Sequence, residues 1–84
     1  MNLMATMAVP PSEHSTQAER LSYLRSVIRT FNLTVEDIAK HTGYSASSVH
    51  GWLSPPESAR NRMIPGRAVR LLAAEISSGA VTRR

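Results

Sequence analysis

The chain has 84 residues, no cysteine and a net charge of +4. That length leaves room for one small domain, and the lack of cysteine excludes a disulfide framework or a thiolate metal site. No apolar run approaches the roughly 18 residues needed to cross a membrane, and no lysine or arginine precedes Arg20, which argues against a secretory leader and for a cytoplasmic protein.

Residues 1–14 hold two prolines, three methionines and no periodic apolar face, and read as a flexible arm. Thr16 and Glu19 then stand at capping-box spacing. Leu21, Leu24, Val27, Ile28 and Phe31 follow on one stripe, which predicts a first helix of about four turns. Arg20, Arg25 and Arg29 are expected to point away from that stripe, and Asn32 to stop the helix. Thr34 caps a second helix, "VEDIAKHT", whose inward residues are Val35, Ile38 and Ala39. Gly43 ends it, at a position that calls for positive φ. Ser45 caps a third helix, Ala46 to Leu53, with Val49, Trp52 and Leu53 inward. Pro55 and Pro56 break the pattern, and Pro65 opens a fourth helix. There Ala68, Val69, Leu72, Ala73 and Ile76 face inward and Gly79 is the stop. The reading is all-α: a compact domain of four helices over residues 15–79, with residues 80–84 as a frayed basic tail.

Charge is unevenly placed. Up to Glu57, four basic residues face five carboxylates; from Ser58 on, six arginines face Glu75 alone. Nine of the ten basic residues are arginine, the side chain best suited to phosphate and base recognition. The pattern favours an anionic partner, although the same charge would also serve solubility alone.

Two short helices joined at Gly43 cannot lie antiparallel; they cross steeply, as a helix-turn-helix. The stretch "LTVEDIAKHTGYSASSVHGWL" resembles the motif of lambda-repressor- and Cro-like DNA-binding proteins. The matching residues are Thr34, Ile38, Ala39, Gly43, Ser45, Val49, Trp52 and Leu53. In layout the chain also resembles the small phage regulators called anti-CRISPR-associated proteins. The first resemblance implies that the third helix enters the major groove and meets base edges with Ser45, Ala46, Ser47, His50 and Gly51, with Ser48 and Ser54 at the edge. Small side chains let the helix lie deep; serine can donate or accept, and alanine can touch a thymine methyl. Gly51 within a helix is unfavourable by about 1 kcal/mol relative to alanine. A close approach to DNA explains it, as does close packing.

Each of these residues also has a plainer reading. Ser45 is an N-cap first; Ser47, Ser48 and His50 could be ordinary solvated surface. Tyr44 packs at the turn with its hydroxyl within reach of a phosphate, and Lys40 points outward from the second helix. Arg60 and Arg62, in the loop after the motif, are either a solvated loop or phosphate anchors; Arg67 and Arg70 face solvent or a partner copy. Glu36 and Asp37 suit the dipole of the second helix but would repel phosphates. His14, His41 and His50 lack metal-ligand spacing, no strand-turn-helix presents a nucleophile, and no glycine-rich phosphate loop is present. Neither an enzyme nor a cofactor, metal or small-molecule ligand is therefore expected. The reading favours a regulator of transcription, a homodimeric repressor on a palindromic operator of double-stranded DNA, candidate partner surfaces being Tyr23 on the first helix and Arg70 and Leu71 on the fourth. The alternatives are a protein-interaction module and a DNA-recognition subunit of a packaging or excision machine.

Overall fold

The structure, a computed structural model, describes residues 15–83; the expected arm, residues 1–14, lies outside them. Four helices follow one another, α1 (Gln17–Phe31), α2 (Val35–Thr42), α3 (Ala46–Leu53) and α4 (Gly66–Ser77), with no strand among the described residues. The all-α reading holds, and so do the punctuation marks of the first three helices.

Each of the first three helices begins on a hydroxyl that satisfies a backbone donor left free by the first turn. Thr16 Oγ1 accepts from the Glu19 amide at 3.1 Å, and Glu19 Oε1 accepts from the Thr16 amide at 2.7 Å. The Thr16 amide first, and its hydroxyl second, hold the Glu19 carboxyl below the ordinary glutamate value. Thr34 and Asp37 repeat the arrangement on α2 at 3.1 and 2.9 Å. Ser45 Oγ accepts from the Ser48 amide at 3.0 Å on α3. Pro65, expected as the first helical residue of α4, instead occupies the cap position and brings no side-chain bond.

The stops follow the same logic. Asn32 is left-handed at φ 54° and ψ 51°, and Gly43 lies at φ 78°. A β-carbon at Gly43 would meet no atom within 4 Å. Gly43→Ala is therefore expected to destabilise the chain by backbone strain alone, about 1–2 kcal/mol, read from urea unfolding midpoints. A loss well beyond that would show that the turn is constrained by more than its dihedral angles.

The core draws on every helix: Leu24 and Val27 from α1, Ile38 from α2, Val49 and Trp52 from α3, and Ala68, Val69 and Leu72 from α4. Leu21, Ile28 and Phe31 pack at its margin rather than its centre. Tyr23 is buried with the core residues; it is 2 % exposed, and burial pushes its hydroxyl above the ordinary tyrosine value. Tyr23 is therefore core, not part of a surface available to a second copy. Thr42 is buried too, its hydroxyl donating to the Ile38 carbonyl at 2.8 Å.

Three core residues lie outside the helices: Leu33, Ile64 and Val81. Val81 corrects the expectation of a frayed tail beginning at residue 80. The Ala80 amide donates to the Glu75 carbonyl at 2.9 Å, Gly79 takes φ 82°, and the chain turns back to bury Val81.

α2 packs on both α3 and α4, and α1 packs on α4. A polar link reinforces the packing of α2 on α4: His41 Nδ1 and Glu75 Oε1 lie 3.0 Å apart. Another set of bonds holds the α3–α4 loop against α1. Gln17 grips both backbone groups of Ile64: its Oε1 accepts from the amide at 2.6 Å and its Nε2 donates to the carbonyl at 3.0 Å. Arg20 Nη1 donates to the same carbonyl at 2.9 Å. Arg20 thus turns toward the fold, whereas Arg25 and Arg29 are exposed as expected.

Candidate nucleic-acid interface

The outer face of α3 follows from which of its positions are needed inside. Val49 and Trp52 are buried at 0 % and 3 % exposure and lie on one side of α3; on the other side Gly51 is covered by the loop, and Ser47 and His50 are left to face out. Ser47 and His50 are exposed, and Ala46 and Ser48 are half-buried. Ser45 is exposed, and its hydroxyl donates to Ser48 Oγ at 3.0 Å while capping the helix. The hydroxyls of Ser45 and Ser48 are thus linked to each other, and Ser47 and His50 are the polar side chains of α3 that reach furthest into solvent.

Tyr44 sits where the turn meets α3. Its ring meets that of Trp52 edge-on, with centroids 5.2 Å apart and an interplanar angle of 69°. This geometry is favourable for two quadrupoles, and it fixes Tyr44 beside the helix.

After α3 the chain leaves through Pro55 and Pro56 and doubles back. The Arg62 amide donates to the Gly51 carbonyl at 3.0 Å. Asn61 Nδ2 donates to the Ser54 carbonyl at 2.9 Å. Helix C-termini leave carbonyls without partners in the helix, and here the returning loop supplies them. Arg62 Nη1 donates to the carbonyls of Ala59 and Asn61 at 3.1 and 3.0 Å, which orients its guanidinium. Arg60 and Arg62 are both exposed.

Between α3 and this loop lies an open groove of about 810 Å³. Tyr44, Ser47, Ser48 and His50 line it on the helix side; Arg60 and Arg62 line it on the loop side. Gly51 and Trp52, both buried, form its floor. The structure thus brings together eight of the residues singled out in the sequence as facing DNA, Gly51 and the edge residue Ser54 included. Lys40, Ser45 and Ala46 do not line the groove; Lys40 is exposed on α2.

Gly51 requires a correction. It does not face outward to a nucleic acid; it is buried beneath the loop. A β-carbon there would lie 2.8 Å from Arg62 Cγ and 3.0 Å from the Arg60 carbonyl oxygen. Close packing within the protein, not close approach to a ligand, explains the glycine.

The carboxylates near α2 are less adverse to an anion than their positions suggest. Asp37 is turned back onto the Thr34 amide by the capping box; Glu36 remains exposed. Arg25, Arg29, Lys40, Arg60, Arg62, Arg67 and Arg70 form no ion pair with a carboxylate among the described residues. Exposed cations without a carboxylate partner are free to attract an anion.

The chain matches no family model, no curated protein and no solved structure. The site is therefore read from its geometry. Among the described residues, no group of three or more histidines, cysteines or carboxylates is placed to hold a metal ion, and no helix is long and apolar enough to cross a membrane.

Two features in or beside the site do not emerge from the sequence. Asn61 is unremarkable in a polar loop, although a loop asparagine just beyond a helix end can serve the helix carbonyls, and its spacing from Ser54 offers a weak hint. Met63, 73 % exposed beside Arg62, is the large apolar side chain most open to solvent among the described residues.

Proposed function

We propose that this chain is a sequence-specific double-stranded-DNA-binding regulator of transcription that acts as a homodimeric repressor. The observation that carries the reading is the groove in which the polar face of α3 stands opposite Arg60 and Arg62. Ser47 and His50 supply donors and acceptors suited to base edges. The two arginines supply charge suited to the phosphates that flank a major groove. No lysine or arginine lies on α3 itself, so affinity comes from the loop and specificity from the helix. The division suits a short helix of small residues, which can sit deep without a long charged side chain holding it off. Of the surfaces considered for a second copy, Arg70 and Leu71 on α4 remain, since Tyr23 is core. A dimer would read half-sites about 10–10.5 base pairs apart, or a multiple of that spacing.

The test is selection of bound fragments from a random duplex pool, followed by titration of the enriched sequence and an unrelated one in rising salt. Affinity for the enriched duplex is expected to exceed that for the unrelated one by roughly three orders of magnitude or more. Equal affinity for both would refute sequence specificity, and no binding to either would refute the DNA reading altogether.

A second reading, a protein-interaction module, is favoured by Met63. An exposed thioether next to a basic loop suits a partner that is acidic at its rim and apolar at its centre. Capture of a protein partner by a chain that shifts no duplex would support it.

A further inference from the structure

We propose that Gly51 and Asn61 are positioning residues for DNA binding: they fix the offset between the outward face of α3 and the arginines of the returning loop, and so set where a phosphate strand lies relative to the bases being read. This inference rests on the groove being the DNA interface and assigns a role within it to two residues that would not touch DNA themselves.

Gly51 weakens its own helix. Glycine inside a helix is unfavourable by about 1 kcal/mol against alanine, and α3 has only eight residues over which to absorb it. What the glycine allows is close approach: with no side chain at position 51, the Cβ and Cγ of Arg62 and the carbonyl of Arg60 lie against the helix. Any β-carbon there would overlap Arg62 Cγ at 2.8 Å and press on backbone at 3.0 Å, so the loop would have to lift away. Both residues nearest that point are the arginines of the groove.

Asn61 secures the same approach from the other side. Its side-chain amide donates to the Ser54 carbonyl at 2.9 Å, while the Arg62 backbone amide donates to the Gly51 carbonyl at 3.0 Å. The loop is thereby bonded to the C-terminal end of the very helix that would read the bases. A loop held only at its ends would let two long side chains wander, and their ordering would weaken binding by an amount on the order of tenfold for each. A loop joined to α3 carries Arg60 and Arg62 at a set displacement from Ser47 and His50.

The experiment compares Asn61→Ala and Gly51→Ala with the unmodified chain, in salt titrations against the selected duplex. Circular dichroism first establishes that each variant is folded. Asn61 is half-buried in a loop, so its variant carries the test should Gly51→Ala fail to fold. The slope of log affinity against log salt is expected to become shallower by about 0.9 for each phosphate no longer neutralised. Hydrogen exchange of the Arg62 amide in the free protein is expected to quicken while that of the Leu72 amide stays unchanged. In a background carrying Arg60→Ala and Arg62→Ala, Asn61→Ala is expected to have no further effect on DNA binding, which a merely structural role would not produce.

Unchanged slope and affinity in Asn61→Ala would overturn the inference while leaving the DNA reading in place. So would an equal drop in affinity with and without the two arginines. Failure of the unmodified chain to bind any duplex would overturn both.

Discussion

Trp52→Ala is expected to lower the thermal midpoint of the chain by roughly 12–40 °C. Removing a buried tryptophan destabilises a domain by about 3–5 kcal/mol, and a chain of 84 residues has roughly 4–13 kcal/mol of stability in total. Trp52 is 3 % exposed, shares the core with Val49 and Ile38, and supports the ring of Tyr44. Its removal therefore opens a cavity and releases the aromatic pair that borders the groove. Trp52→Phe keeps an edge-to-face partner for Tyr44 and should retain a cooperative transition at a lower midpoint. Thermal unfolding followed by circular dichroism separates the two. Retention of near-native stability by Trp52→Ala would mean that the core does not depend on α3, contrary to the burial of its inner face.

The second large effect concerns binding and should leave the fold nearly untouched. On the proposed function, replacing Arg60 and Arg62 together by alanine removes two phosphate partners per subunit. The salt slope should fall by about 1.8, which at 0.1 M salt corresponds to a roughly sixty-fold weaker affinity per subunit, shrinking toward 1 M. Both side chains are exposed, and surface substitutions of this kind usually change stability by no more than about 0.5 kcal/mol. Arg62 also ties the loop through Ala59 and Asn61, so Arg60→Ala alone is the purer measure of charge. Should the double variant keep both slope and affinity, the loop does not hold DNA and the groove must be assigned to something else.

What can be read from the sequence is whatever is local. Thr16, Thr34 and Ser45 announce helix starts because a hydroxyl and the amide it caps are three residues apart. Asn32 and Gly43 announce stops because few residues tolerate a left-handed backbone. Val49 and Trp52 declare themselves through spacing. What cannot be read are the pairings made across long separations. Gln17 and Ile64 are 47 positions apart, and His41 and Glu75 are 34 apart. No periodicity marks such pairs, since each partner is ordinary on its own element. Val81 escapes for a related reason: one valine after a glycine has no pattern around it, yet the turn at Gly79 aims it inward. Gly51 shows the limit from the other direction. Its presence in a helix is visibly anomalous, but only the position of the loop decides which neighbour it makes room for. The candidate site is legible as a set of residue types, and its shape is not, because that shape depends on a loop folding back.

Met63 gives this surface a built-in mass label. Its thioether stands in open water at 73 % exposure, one residue from an arginine of the groove, and takes no part in the buried core. Peroxide adds one oxygen to such a sulfur far faster than to a shielded one. Read on the peptide that carries Met63, apart from Met1, Met4 and Met7, the rate of that mass increment reports whether the loop is covered, without a mutation or an attached dye.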